Sequence, residues 1–137
     1  REYSEIAVMG RSLGSGVAVQ VASARPVERL VLVTAFDSLV NVAKEYFRWL
    51  PLGLLLKDRY DSARHASAVS TSVLMVIAGE DEIIPRARAQ ALAKAFPAGQ
   101  VRVEIVPRVG HNTLDVSPAY LAAVRGFLAA TADGEEP

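Results

Sequence analysis

The stretch that decides the fold is Ile6-Ala7-Val8-Met9-Gly10-Arg11-Ser12-Leu13-Gly14-Ser15-Gly16-Val17-Ala18-Val19-Gln20-Val21-Ala22. It opens on a short apolar run, Ile6 to Met9, and continues from Gly16 with small and branched residues that read as a helix over 16–24. Between the two lies G-x-S-x-G, as Gly10-Arg11-Ser12-Leu13-Gly14. A strand, a tight turn and a helix around such a pentapeptide expose the serine hydroxyl at the tip of a sharp elbow. Both flanking glycines are expected to be there because a Cβ at Gly10 or Gly14 would strike the backbone opposite. Two plainer alternatives stand beside this one. One is an ordinary strand-to-helix loop in which Ser15 caps the helix. The other is an anion-cradling glycine loop, but the chain has no G-x-x-x-x-G-K-[ST] and no lysine after these glycines.

Outward from this stretch, short apolar runs alternate with helical periodicity. Val27 to Ala35 is a β-branched, nearly continuous apolar run, as expected of a strand covered on both faces. Val73 to Ala78 and Val101 to Val106 follow as further strands. Helices are expected over 16–24, 39–50, 86–96 and 118–130, the last opened by Ser117 as cap and Pro118 at the first helical position. Strands separated by crossover helices imply an α/β domain with a parallel sheet of about four strands. The first three crossovers step the same way, so their helices should cover one face and the C-terminal helix the other. The domain is expected to span residues 1–131, with 38–70 as a cap-like excursion and 132–137 as a disordered tail rich in acid, Gly and Pro.

Composition narrows the function classes. With 137 residues, 51% of them apolar and 22% charged, the chain can bury a core. Fifteen basic residues balance fifteen acidic ones, so no global field favours nucleic acid or an anionic membrane. The absence of cysteine excludes a thiolate nucleophile or metal site within this sequence. The Leu-rich cluster from Leu50 to Leu56 is too short to span a bilayer, and no apolar leader opens the sequence. The expected location is cytoplasmic. The first residue is not Met, from which we expect that the natural protein starts earlier.

A serine hydroxyl is a poor nucleophile until a base takes its proton, and the base must be held in one tautomer by a third group. There are two histidines. His111, in Val109-Gly110-His111-Asn112, lies just beyond the carboxyl end of the fourth strand, on the rim where parallel sheets place their chemistry. His65, in the polar helical stretch Ser62-Ala63-Arg64-His65-Ala66, reads as a surface residue. The third strand is followed by Gly79-Glu80-Asp81-Glu82-Ile83-Ile84-Pro85. Asp81 is the expected orienting acid, with Glu80 and Glu82 pointing to solvent. Asp37, just after the second strand, is the alternative acid, although a helix N-cap explains it equally simply. Arg86 and Arg88 read as solvated first-turn residues, with a weaker role in steering an anionic substrate.

With GRSLGSG at 10–16, DEIIP at 81–85 and GHN at 110–112 in this order, the chain resembles the α/β-hydrolase superfamily over about residues 5–130. It is similar to the compact serine hydrolases of dienelactone-hydrolase-like or prolyl-oligopeptidase-like type. The resemblance implies Ser12 as nucleophile, His111 as general base and acid, Asp81 as its partner, and the Leu13 backbone N–H as an oxyanion donor. It implies cleavage of a small ester, thioester or amide through an acyl-enzyme, with no metal or organic cofactor and no nucleic acid partner. A prolyl-oligopeptidase-type peptidase is the alternative within the class. A non-catalytic ligand-binding module is the alternative outside it.

The chain also departs from that pattern. The family's sheet has strands before the elbow strand, and one of those carries the loop that gives the second oxyanion donor. Here the elbow strand comes first, so the chain corresponds to the C-terminal half of the fold. The strand at 5–10 is expected to pair with a missing N-terminal half or to support a homo-oligomer. Within the excursion, Tyr46, Phe47, Trp49, Leu50, Leu52 and Leu54–Leu56 either line an acyl pocket, pack on the sheet or touch a membrane surface.

Overall fold

The computed structural model describes residues 5–49 and 60–130. Four strands, β1 (Ala7–Arg11), β2 (Arg29–Val33), β3 (Ser72–Ala78) and β4 (Val101–Val106), form one parallel sheet in chain order. Among the described residues the helices are α1 (Leu13–Ala24), α2 (Leu39–Tyr46), α3 (Ser62–Ala66), α4 (Arg86–Ala95) and α5 (Pro118–Ala129). A 3₁₀ turn at Leu114–Val116 leads into α5. The architecture is the expected α/β one. The tail assigned to 132–137 and the leucines at 50, 52 and 54–56 lie outside the described residues.

The two central strands explain the continuous apolar runs. Leu30 and Leu32 of β2 join Val73, Met75 and Ile77 of β3 on one face, against Ala18, Val19 and Ala22 of α1, Ala66 of α3, and Ala89 and Leu92 of α4. The alternate residues Val31, Val33, Leu74, Val76 and Ala78 point the other way, onto Leu114 and onto Tyr120 and Phe127 of α5. Each such side chain contributes about 1.5–3 kcal/mol by leaving water. One helix from each of the first three crossovers, α1, α3 and α4, thus shares one face and the C-terminal helix holds the other, as the step direction requires, while Val42 of α2 packs apart with Phe36 and Ile84.

Two helix boundaries differ from expectation. The turn after β1 is so tight that α1 begins at Leu13 rather than Gly16, and β1 runs through Arg11, which pairs with Val33. Helix α2 stops at Tyr46. Beyond it Phe47 and Trp49 are exposed, so the apolar character there does not mark packing on the sheet.

The two edges of the sheet differ. On β4, Arg102 and Glu104 form an ion pair along the strand, with N···O at 2.6 Å. β1 carries no charge before Arg11, and beside it Ile6, Met9 and Val17 are 55%, 48% and 50% exposed. Charged side chains blunt a strand edge, whereas a bare apolar edge accepts another strand.

The glycines of the elbow are not equivalent. An ideal Cβ on Gly10 would stand 2.3 Å from the Gly14 carbonyl oxygen and 2.6 Å from Ala18 Cβ, so only hydrogen fits there. A Cβ on Gly14 meets nothing within 4 Å, which corrects the expectation that both positions forbid a side chain. Gly14 lies in the first turn of α1, pointing away from β1. Gly10→Ala should therefore cost about 1–3 kcal/mol by forcing α1 off the strand. Gly14→Ala should gain about 0.5–1 kcal/mol from reduced backbone freedom in the unfolded chain. Thermal unfolding of both variants checks the contrast.

Candidate active site

Ser12 sits between β1 and α1 with φ 49° and ψ −121°, a strained conformation for a residue with a side chain. Its neighbours hold it there. The Ser12 N–H donates to the Val33 carbonyl at 2.9 Å, and the Ser12 carbonyl accepts from the Ser15 hydroxyl at 2.6 Å and the Ser15 N–H at 2.9 Å. Ser15 is fully buried in this role and is not the helix cap. The strain leaves the Ser12 side chain projecting from the rim of the sheet. The Leu13 N–H, first in α1, has no partner among the described residues, as the leading amides of a helix do not.

The structure brings Ser12, Asp81 and His111 together. His111 Nε2 is 3.1 Å from Ser12 Oγ, and His111 Nδ1 is 2.9 Å and 3.1 Å from the two Asp81 carboxylate oxygens. The His111 and Asp81 side chains are only 7% and 4% exposed, so their contact is screened little by water. Asp81 Oδ1 also accepts the N–H groups of Ile83 and Ile84 at 2.9 and 2.7 Å, which fixes the carboxylate relative to its own loop. That loop is laced to the His111 loop by backbone bonds from Gly79 N–H to Val106 and from Glu80 N–H to Val109, at 2.8 and 2.9 Å. The result is a hydroxyl, an imidazole and a carboxylate in line. An arrangement of this kind can draw a proton off the hydroxyl while holding the imidazole in one tautomer.

Other candidates fall elsewhere. His65 is exposed on α3, as its polar setting suggested. Asp37 is buried and makes no contact with His111: its Oδ2 accepts Asn41 Nδ2 at 2.8 Å and Arg88 Nη1 at 3.3 Å. It is not the cap of α2 either, since Ser38 occupies that position. Arg88 is correspondingly not a solvated residue, because Asp37 and Glu45 draw it inward. Arg86 stays exposed and donates to the Gly79 carbonyl at 3.0 Å.

The expectation that Glu82 points idly to solvent is also corrected. Glu82 Oε2 accepts the His111 N–H at 3.1 Å. Arg11, the residue between Gly10 and Ser12, was not singled out from the sequence. Its Nη2 donates to the His111 carbonyl at 2.7 Å, while Nη1 lies 3.4 Å from Asp115. Strand alternation was the available signal. With Gly10 facing α1, Arg11 must face the side of the sheet where the His111 loop and α5 lie. Nearby, burial raises the pKa of the Tyr120 phenol, with the Arg11 guanidinium opposing that shift and the Asp115 carboxylate adding to it. From the end of α2, the Tyr46 hydroxyl donates to the Ile83 and Glu82 carbonyls at 2.6 and 3.1 Å. Among the described residues no three His, Asp or Glu side chains converge on a metal-sized site.

Solved structures place this architecture. The α/β-hydrolase enzyme MGS-M2 from a Medee basin deep-sea metagenome library superimposes with a TM-score of 0.74 at 15% identity, covering 98% of this chain and 68% of that one. Acetyl xylan esterase from Paenibacillus sp. R4 gives 0.70 at 21% identity over 92% of this chain and 45% of that one. Acetyl xylan esterase 1 from Thermoanaerobacterium sp. JW/SL YS485 gives 0.68 at 20% identity over 90% and 44%. The chain has the α/β-hydrolase fold, in part. By sequence it is similar to the uncharacterized proteins Rv2307c and MT2364 of two Mycobacterium tuberculosis strains, each 40% identical over 131 residues. That match covers 94% of this chain and 46% of each relative, so the chain spans about half their length. No family model matches. No helix among the described residues is long and apolar enough to cross a membrane.

Removing the Arg88 guanidinium isolates structure from chemistry. Arg88→Met leaves the buried Asp37 carboxylate with Asn41 as its remaining partner and should lower stability by about 1–3 kcal/mol. Chemical denaturation reads the loss, and the reaction of Ser12 with a phosphonate probe should be unaffected.

Proposed function

We propose that the chain is part of a serine hydrolase of the dienelactone-hydrolase-like or prolyl-oligopeptidase-like type, acting on a carboxylic ester by acyl transfer. The observation that carries this is the His111 ring, 3.1 Å from Ser12 Oγ on one side and 2.9 Å from Asp81 on the other. In this reading Ser12 Oγ attacks the ester carbonyl as His111 Nε2 takes its proton. The Leu13 N–H donates to the oxyanion that forms on the carbonyl oxygen. His111 returns the proton to the leaving alcohol. Water, deprotonated by His111, then attacks the acyl-enzyme, and Ser12 Oγ leaves with the proton. Asp81 holds Nδ1–H and stabilises the imidazolium without taking its proton.

Ester rather than peptide cleavage is favoured by the esterases among the proteins of similar fold and by the easier departure of an alcohol. Turnover of p-nitrophenyl esters of graded length, set against aminoacyl-anilides, separates the two. A fluorophosphonate probe tests for an activated serine in the full-length protein. Labelling should vanish in Ser12→Ala, and Asp81→Asn should slow ester turnover by about 10⁴-fold. Absence of labelling in the unaltered protein sinks the hydrolase reading and leaves the ligand-binding module.

We also propose that the open edge of β1 pairs with a strand from the other half of an α/β-hydrolase domain, which supplies the second oxyanion donor. The absence of charge on β1 before Arg11, the exposed Ile6, Met9 and Val17 beside it, and relatives about twice as long support this. The 137-residue chain by itself should then self-associate in light scattering and hydrolyse esters about 10²–10³-fold more slowly than the whole domain. A monodisperse monomer of full activity contradicts it.

A further inference from the structure

Two charges of opposite sign grip the main chain of His111. The Glu82 carboxylate accepts its N–H at 3.1 Å, and the Arg11 guanidinium donates to its C=O at 2.7 Å. We propose that Arg11 and Glu82 are positioning residues for the His111 imidazole, a role that rests on the serine hydrolase reading above. They touch neither Ser12 Oγ nor the ring; their effect passes through the backbone.

His111 lies in the loop after β4, and loops move more than the strands they leave. Asp81 sets only the rotation of the ring, because it binds Nδ1 and nothing else of the residue. The direction of the Cα–Cβ bond is set by the N–H and C=O on either side of it. Fixing both aims the ring, and Asp81 then turns Nε2 onto Ser12 Oγ. A charge-assisted hydrogen bond is about twice as strong as a neutral one, so the loop is anchored firmly at both points. The signs also match the main chain. The carboxylate meets the positive end of one peptide dipole and the guanidinium the negative end of the next, so the pair adds no net charge beside the imidazole.

A separate feature points the same way. An ideal Cβ on Gly110 would stand 2.6 Å from Glu82 Oε2 and 3.4 Å from its Cδ. The residue before His111 lacks a side chain where the carboxylate must pass to reach the His111 N–H. Arg11 gives the grip a second consequence. As the residue next to Ser12, it ties the nucleophile's elbow directly to the histidine loop, one hundred positions away in sequence.

The test uses the full-length protein with a p-nitrophenyl ester as substrate. Arg11→Met and Glu82→Ala should each lower kcat by about 10- to 100-fold with KM unchanged, the scale set by small misplacements of a catalytic group. Glu82→Gln keeps an acceptor oxygen and Arg11→Lys keeps a donor, so both should recover most of the rate. Gly110→Ala leaves both charges in place and displaces only the carboxylate; it should match Glu82→Ala, covering the case in which a charge deletion unfolds the protein. In a His111→Ala background Glu82→Ala should produce no further loss, and the exposed neighbour Glu80→Gln should behave as wild type throughout. Wild-type kcat in Arg11→Met and Glu82→Ala, with Ser12→Ala inactive, overturns the grip and leaves the hydrolase reading intact. So does an equal loss with and without His111, which marks a general structural role. Ester turnover that survives Ser12→Ala overturns the hydrolase reading, and the grip with it.

Discussion

The site depends on how closely α1 rests against β1. At Gly10 the strand and the helix approach so tightly that the Gly14 carbonyl occupies the space a Cβ would need. The chain must then reverse within a single residue, and Ser12 takes φ 49° to do it. That one geometry turns the hydroxyl outward, leaves the leading amide of α1 beside it, and aligns the Ser12 N–H with Val33 of the next strand. Strain of this size is held only by surroundings that over-determine it. Here those are the buried Ser15 back-bond, the ladder between β1 and β2, and the packing of Ala18, Val19 and Ala22 on the sheet.

The other two members of the cluster are set by main-chain anchoring. Asp81 is fixed by the amides of Ile83 and Ile84, and the His111 loop by bonds from its own backbone to Arg11, Glu82 and the Asp81 loop. Side chains that bind backbone tolerate change in their surroundings, because every residue presents the same N–H and C=O. The Asp37–Arg88 pair does the opposite work, joining the start of α2 to the start of α4 through side chains alone.

The fold and the three polar residues were legible because they rest on patterns that one sequence displays: apolar runs, their alternation with helices, and a serine between two glycines at an elbow. Asp81 and His111 could be chosen because each follows a strand end, and β3 and β4 bring those ends side by side. The grip on His111 was not legible. Arg11 and Glu82 bind backbone atoms of a residue far away in sequence, and such contacts leave no periodicity or spacing to read. Gly14 was over-read because G-x-S-x-G looks symmetric, whereas the helix turns one glycine into the strand and the other away from it. Arg88 was under-read, since its burial depends on where Asp37 and Glu45 arrive from another crossover. The limit of α2 at Tyr46 was missed because exposed Phe47 and Trp49 continue the apolar composition without continuing the helix.

The contrast between the charged strand at one side of the sheet and the bare strand at the other bears on how such a domain can associate. Growth of a fibre by strand addition needs two receptive margins on every unit, one to accept and one to offer. If the margin at β1 is the one that takes a partner strand, as proposed above, coupling through it is self-limiting, and the union ends at two bodies instead of propagating into a filament.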